Sequence, residues 1–284
     1  MTGTDTMPAL TAPPNDTNIR LGHLDRRALQ TLARRRLPLW DASEPLPDVP
    51  KARQRQMASR LMRGGYLDRI ERGLYRVVPL TGASAIDPIE LVGAWFAPEP
   101  HAIVGPAAAE YHGLILDTPT TVGVQLARPK PRDVVYQRMR YQFTTAARNS
   151  VLADNIDVIT GRVVTHIASP GKLLVLLLAQ PRTGRFAGRD ARLATEIVIR
   201  GAATDIWKGV NWPSLIMRHG NRAVARRLAF LLEQNHVDGF ESLRPLVGNA
   251  EITNFSTAHP AVGPVLNRWR LRVNDPALLG AGVE

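Results

Sequence analysis

Residues 56–78 read QMASRLMRGGYLDRIERGLYRVV, and the spacing of apolar residues changes within this stretch. Before the double glycine, apolar residues recur at every third or fourth position, which is typical of an amphipathic helix. After it, the runs YLDRI and LYRVV flank Glu71-Arg72-Gly73, a pattern that predicts a β-hairpin with glycine in its turn. The stretch therefore predicts a helix that ends at Gly64-Gly65 and leads directly into a hairpin.

The helix before the double glycine extends back to Lys51, since Pro50 marks a natural helix start. One side is apolar and is expected to pack in the core, comprising Met57, Ala58, Leu61 and Met62. The other side carries long hydrogen-bond donors, comprising Arg53, Gln56, Arg60 and Arg63, with Lys51 and Arg55 at its edge. The major groove of B-form DNA admits one helix of this kind, with one packed face and one face of donors.

Two further elements precede this helix. Residues 24–36 have helical spacing, with an apolar side of Leu24, Ala28, Leu29, Leu32 and Ala33. Residues 37–50, LPLWDASEPLPDVP, contain four prolines, which exclude a long helix but leave room for a short turn at residues 41–44. The order of helix, turn, basic helix and hairpin predicts a winged helix-turn-helix domain over residues 20–80. Residues 1–19, rich in Thr and Pro, are expected to form a disordered arm.

Basic residues are concentrated in that N-terminal domain. The chain carries a net charge of +11. Residues 20–76 contain 14 Arg or Lys against 6 Asp or Glu, whereas residues 77–284 contain 22 against 17. This asymmetry indicates an anionic partner for the N-terminal domain, and the helix and hairpin indicate double-stranded DNA. The predicted DNA-binding residues are Lys51, Arg53, Arg55, Gln56, Arg60, Arg63, Arg69, Arg72 and Arg76.

Residues 81–284 show a mixed pattern that predicts a larger α/β domain, after a boundary at residues 79–87. Predicted strands are HAIVG, TTVGVQLA, VVYQRMRYQF, GRVVTHIA and the closing RWRLRV. Predicted helices include PAAAEYHGL, residues 221–233, and SPGKLLVLLLAQ, with Ser169 as the residue that caps its start. The expected fold class is therefore α+β, a winged helix-turn-helix domain followed by a mixed α/β domain.

A second basic segment lies in the loop RPKPRD, where Arg128, Lys130 and Arg132 occupy alternate positions separated by prolines. This spacing predicts three cations that extend toward solvent. Contact with a second stretch of DNA, an RNA or an acidic partner is one interpretation, and plain solvation is the other.

The sequence offers no pattern for catalysis, a metal or a cofactor. The absence of cysteine excludes disulfides and thiolate chemistry, and the seven histidines form no metal-type pair. His112 and His166 are interpreted as hydrogen-bonded structural residues rather than bases. The apolar run at residues 173–178 is too short to cross a bilayer and predicts a core helix. We expect no membrane partner and a cytoplasmic protein.

Five quoted segments resemble the AbiEi-type antitoxins of bacterial type IV toxin-antitoxin systems. These are LMRGGYLDRIERGLYRVV, IVGPAAAEYHGL, THIASPGKLLVLLLA, VARRLAFLLE and RWRLRVN, which follow in the expected order, and the resemblance covers residues 20–275. The proline-rich residues 37–50 depart from the family where a middle helix should lie, and Leu176 stands near a position where an acidic residue often occurs. We therefore transfer no role to the helix that contains Leu176.

The resemblance implies a DNA-binding repressor of its own operon, with inverted repeats as its operator. It also implies a cognate nucleotidyltransferase-like toxin, opposed through the C-terminal domain, with or without direct contact. The alternative from the residues themselves is a nucleic-acid-processing enzyme or an RNA-binding module that is docked by the winged helix.

Overall fold

The computed structural model of the chain describes residues 21–34, 39–47, 49–79, 85–130, 132–160, 163–179, 190–249, 251–257 and 259–279. The arm predicted at residues 1–19 lies outside these ranges. The chain divides into two compact units, residues 1–85 and residues 86–284, which are described separately below. Within the described residues, no helix is long and apolar enough to cross a membrane.

The N-terminal unit contains two helices and one small antiparallel sheet. Its elements in chain order are α1 (His23–Ala33), β1 (Leu39–Asp41), α2 (Lys51–Arg63), β2 (Leu67–Glu71) and β3 (Leu74–Val77). Strand β3 lies between β1 and β2. This is the element order of a winged helix whose middle helix is replaced by a turn, and β2 and β3 form the hairpin, or wing.

A turn connects β1 to α2 in the described part of residues 39–50, where a middle helix would stand in other winged helices. The backbone N–H of Glu44 donates to the Asp41 carbonyl (3.0 Å), and that of Ser43 donates to the Asp41 carboxylate (2.7 Å). The turn predicted at residues 41–44 is confirmed. Pro45 and Pro47 follow it and remove the N–H groups that a helix needs.

The buried residue Gln54 of α2 stabilises this connection. Its side chain is 1% exposed. In the amide orientation that satisfies both ends, Gln54 donates to the Ala42 carbonyl (3.1 Å) and accepts from the Leu46 N–H (2.9 Å). A side-chain amide therefore satisfies backbone groups that a middle helix would have satisfied internally.

The rotation of α1 about its own axis differs from the prediction. Asp25, Ala28 and Leu32 are buried, whereas Leu24, which was assigned to the apolar side, is 39% exposed. Ala33 is also exposed. The difference arises because Asp25 is buried through an ion pair, which polarity along the sequence does not reveal.

Helix α2 ends at the double glycine as predicted, and Gly65 adopts the left-handed conformation with φ of 73°. The Tyr66 N–H donates to the Leu61 carbonyl (2.9 Å), and the Gly65 N–H donates to the Met62 carbonyl (3.0 Å). These bonds satisfy the last carbonyls of the helix and turn the chain into β2. Gly73, with φ of 88°, supplies the turn of the hairpin, as the sequence predicts.

The C-terminal unit is built on a six-stranded mixed sheet with the order β6-β7-β5-β4-β9-β8. Its strands are β4 (His101–Val104), β5 (Thr121–Leu126), β6 (Val134–Tyr136), β7 (Met139–Thr145), β8 (Asn155–Thr160) and β9 (Val163–Ala168). A second small sheet contains β10 (Thr253–Asn254), β11 (Val265–Leu266) and β12 (Leu271–Arg272).

Helices cover this sheet and form a layer beyond it. They are α3 (Pro88–Phe96), α4 (Pro106–Tyr111), α5 (Arg148–Leu152), α6 (Pro170–Leu178), α7 (Asp190–Ala202), α8 (Trp212–His219), α9 (Arg222–Gln234), α10 (Arg244–Val247) and α11 (Pro276–Leu279), with a 3-10 turn at Phe240–Leu243. Helix α6 is the predicted core helix, and its apolar run is buried except at Leu176, which is half-buried. Ser169 caps its start by accepting from the Lys172 N–H (3.4 Å), as predicted.

Two sequence predictions in this unit need correction, and one strand was missed. The run VVYQRMRYQF is two strands, β6 and β7, because Gln137 and Arg138 adopt positive φ and turn the chain back. Strand β8, which pairs with β9, was not predicted. The closing strand RWRLRV is reduced to the two residues of β12, since a turn occupies the four residues before it.

Candidate nucleic-acid interface

Helix α2 buries one stripe of residues and exposes the rest. The buried residues are Gln54, Met57, Ala58 and Leu61, whereas Met62 is half-buried. The exposed residues are Lys51, Ala52, Arg53, Arg55, Gln56, Ser59 and Arg63. Because Gln54 and not Met62 completes the buried stripe, the solvent face turns toward Ala52 and Ser59 and away from Arg60.

A groove of about 960 Å³ lies between α2, the hairpin and the turn that follows β1. Four of its lining residues are cations: Lys51 and Arg55 from α2, and Arg69 and Arg72 from the hairpin. Asp41 is the acidic residue in the lining, and its carboxylate already accepts the Ser43 N–H at 2.7 Å. The groove therefore presents a strongly positive surface, suited to a polyanion.

Arg60 occupies a different position from the other predicted DNA-binding residues of α2. Its guanidinium donates to Asp25 of α1 through two bonds, Nε to Oδ2 at 3.0 Å and Nη2 to Oδ1 at 2.8 Å. The hydrogen bonds from Arg60 to Asp25 raise the pKa of the arginine. The side chain of Asp25 is 7% exposed and that of Arg60 is 43% exposed. Arg60 thus orients α2, and its charge is balanced within the unit.

The three predicted hairpin arginines are not equivalent. Arg69 and Arg72 are exposed, and the Arg69 Nε donates to the Glu71 carbonyl at 3.3 Å. Arg76 is 3% exposed, with its Nη1 3.9 Å from the Asp68 carboxylate. The sequence prediction is corrected at Arg76, because a buried guanidinium does not reach a duplex in this arrangement.

The second basic segment is not the extended row that the prolines predict. Lys130 Nζ lies over the aromatic rings of α3 and β7, 4.7 Å from the centre of the Trp95 ring and 5.2 Å from that of Phe143. Arg128 is 3.4 Å from the Glu99 carboxylate, and Arg132 is exposed. The attraction of a cation for ring faces draws Lys130 inward. The prediction of three cations extending together toward solvent is therefore wrong for Lys130.

Polar side chains in the C-terminal unit form a cluster that the sequence did not reveal. His219 Nε2 lies 2.7 Å from Asp154 Oδ2, and its Nδ1 lies 3.0 Å from the Ser150 hydroxyl. Arg218 Nη1 donates to both Asp154 oxygens, at 2.7 and 2.6 Å. Burial lowers the pKa of His219, so the neutral ring donates from Nε2 and accepts at Nδ1. More than sixty residues separate the partners, so no local spacing indicates the cluster.

Lys172 lies beside this cluster and is completely buried. Its ammonium donates to the carbonyls of Ser150 (2.9 Å), Val151 (3.0 Å) and Ala153 (2.9 Å), and to the Asn155 side chain (2.8 Å). Burial lowers the pKa of Lys172 to about 8. The lysine therefore satisfies carbonyls at the end of α5, where a helix lacks internal partners.

The two histidines considered from sequence have structural partners. His112 Nε2 lies 2.8 Å from the Ala168 carbonyl, and His166 Nδ1 lies 2.6 Å from Asp157. Across the part of the chain that the structure describes, no group of three or more His, Cys, Asp or Glu residues could hold a metal ion.

The comparison with known proteins bears on the fold. No protein-family model matches the chain, and no curated protein matches it in sequence. The chain is similar to the crystal structure of the RV2827C protein from Mycobacterium tuberculosis, with a TM-score of 0.61 and 17% sequence identity, over 89% of this chain and 92% of that one. The α+β fold class with two units is confirmed, and at this identity the likeness extends to the fold alone.

Proposed function

We propose that this protein is a DNA-binding antitoxin that represses its own operon and opposes a nucleotidyltransferase-like toxin. The observation that carries the DNA-binding part is the cationic groove of about 960 Å³, which is lined by Lys51 and Arg55 of α2 and by Arg69 and Arg72 of the hairpin. A duplex backbone is a dense row of phosphates, and clustered Lys and Arg bind it with release of counterions. The antitoxin part rests on the resemblance of the five sequence segments.

Binding is tested with the full chain and duplexes from its own upstream region. Fluorescence anisotropy over a series of salt concentrations is expected to give an affinity that falls steeply with salt. A footprint of two inverted half-sites is expected to accompany it. A flat salt response would argue for a protein partner in place of DNA.

The antitoxin activity is tested by co-expression with a nucleotidyltransferase encoded beside this gene. Full-length protein with Arg55, Arg69 and Arg72 changed to Gln is expected to lose operator binding and still rescue growth, because we assign rescue to the C-terminal unit. If the wild-type chain fails to rescue growth, the antitoxin role is rejected while DNA binding stands. A cytoplasmic location is part of the same proposal, since both partners lie there.

One observation favours the enzyme alternative. Ser150, His219 and Asp154 are hydrogen-bonded in series, as in the Ser-His-Asp triad of hydrolases. Two features oppose it. Arg218 engages both oxygens of Asp154, and the His219 side chain is fully buried. We therefore assign the cluster a structural role. Cleavage of nucleic acid by the wild-type protein, abolished by Ser150→Ala, would establish the enzyme instead.

A further inference from the structure

The outermost line of α2 differs from the face that polarity predicts. Helical geometry places Ala52, Gln56, Ser59 and Arg63 opposite the buried stripe, and all four are exposed. We name these four residues the crest of α2. The crest is the part of the helix that meets the floor of a DNA groove first.

The crest combines two short side chains with two long ones. Ala52 and Ser59 have short side chains, whereas Gln56 and Arg63 have long ones, and the Arg63 Nε donates to the Ser59 carbonyl at 3.4 Å. An α-helix with its side chains is about 10–12 Å across, and the major groove of B-form DNA is about 12 Å wide. Short residues on the crest let the helix enter deeply enough for Gln56 and Arg63 to reach base edges.

The flanks of the crest carry four of the five cations of α2. On one side Lys51 and Arg55 line the cationic groove together with Arg69 and Arg72 of the hairpin. Arg53 and Arg60 lie on the other side, where Asp25 holds Arg60. Phosphate contacts fix the position of a protein on DNA, and base contacts specify the sequence. Charged flanks around a polar crest fit this division.

Resting on the proposed function, we infer that Gln56 and Arg63 are the residues that determine sequence specificity. The glutamine amide pairs with the N6 and N7 atoms of adenine, and the arginine guanidinium pairs with O6 and N7 of guanine. Seven residues at 1.5 Å each separate them by about 10 Å along the helix. At about 3.4 Å per base along a strand, this distance spans roughly three base steps. Each operator half-site therefore carries an adenine and a guanine about three steps apart.

The inference is tested by selecting bound duplexes from a randomised library with the full-length protein at one salt concentration. Gln56→Ala is expected to reduce the preference for adenine, and Arg63→Ala the preference for guanine, each by about fivefold or more at a single position. The flank variant Arg53→Ala is the matched control. It is expected to weaken binding to all sequences alike and to lower the salt slope by about 0.9.

A gain of specificity separates base reading from a loss of folding. Gln56→Arg is expected to change the preferred base from adenine to guanine at the same position, which a misfolded protein cannot do. If the crest variants weaken binding equally on all sequences, or Gln56→Arg keeps the adenine preference, the inference is overturned and DNA binding stands. If the wild-type chain retains no duplex at all, the proposed function fails as well.

Discussion

Arg60 of α2 and Asp25 of α1 form a bidentate ion pair, with Nε 3.0 Å from Oδ2 and Nη2 2.8 Å from Oδ1. The pair joins the two helices of the N-terminal unit at residues 35 positions apart in the chain. Because a bidentate arginine fixes both distance and orientation, it fixes the rotation of α2 about its own axis. That rotation determines which residues form the crest.

The ion pair is expected to contribute a measurable coupling energy. In a double-mutant cycle with Asp25→Asn and Arg60→Met, chemical denaturation is expected to give a coupling of about 1–2 kcal/mol, because the bonds are charge-assisted and Asp25 is buried. Arg63→Met, an exposed arginine on the same helix, is the control and should show no coupling to Asp25→Asn. A coupling energy close to zero between Asp25→Asn and Arg60→Met would show that the ion pair does not orient α2.

The hairpin arginines Arg69 and Arg72 are expected to bind phosphate. Each change to Gln should weaken binding to any duplex and lower the slope of log affinity against log salt by about 0.9, because one phosphate contact is lost. Anisotropy at several salt concentrations measures this slope. Lys208→Gln, which removes one exposed cation from the C-terminal unit, is the control. An unchanged slope for both hairpin variants would place the duplex elsewhere.

Gly65, which adopts the left-handed conformation at the end of α2, is expected to be required for full stability. Gly65→Ala should destabilise the protein by about 1–2 kcal/mol, since a side chain at positive φ meets its own backbone. Gly65→Asn should be less harmful, because asparagine tolerates this conformation. Thermal unfolding compares the two variants. Equal stability of both variants and the wild type would show that the helix end is not constrained.

The buried Lys172 is expected to stabilise the C-terminal unit. Lys172→Met has a similar length but leaves the carbonyls of Ser150, Val151 and Ala153 without their donor. We expect a loss of about 2–4 kcal/mol in the free energy of unfolding. The exposed Lys208→Met should change it by less than about 0.5 kcal/mol. If Lys172→Met leaves the free energy of unfolding unchanged, water satisfies these carbonyls as well as the ammonium does.

Stability is expected to fall as the pH drops below neutrality, partly through His219. Burial lowers the pKa of His219 below its ordinary value of 6.5, so the unfolded chain takes up the proton first. Its contribution is therefore complete above pH 6.5 and is lost as the pH falls from there toward the folded-state pKa. His101 and His112, whose pKa values burial also lowers, act in the same direction.

Thermal unfolding between about pH 7.5 and 5 measures this dependence. His219→Gln keeps a donor for Asp154 but does not titrate, so its melting temperature should vary less with pH than that of the wild type. The exposed His23→Gln is the matched control for the loss of an imidazole. A His219→Gln profile parallel to that of the wild type would exclude His219 as a source of the dependence.

The sequence by itself determined the elements whose information is local. Gly65 and Gly73 adopt positive φ, which few residues tolerate, and the start of α6 is capped by a short side chain of the preferred type, Ser169. The concentration of basic residues in residues 20–76 needs no structure to be seen. The α+β class and the buried run of α6 follow from the spacing of apolar residues.

Only the tertiary structure decided the rotation of α1 and α2 about their own axes and which cations are available. The sequence pattern placed Arg60 on the solvent face of α2 and placed Gln54 on neither face. In the structure Arg60 forms an ion pair with Asp25, and Gln54 is buried by its hydrogen bonds to the turn after β1. Burial likewise removes Arg76 from the surface, and aromatic rings draw Lys130 inward. A polar residue becomes interior when a distant partner satisfies it, and that partner is known only once the chain has folded.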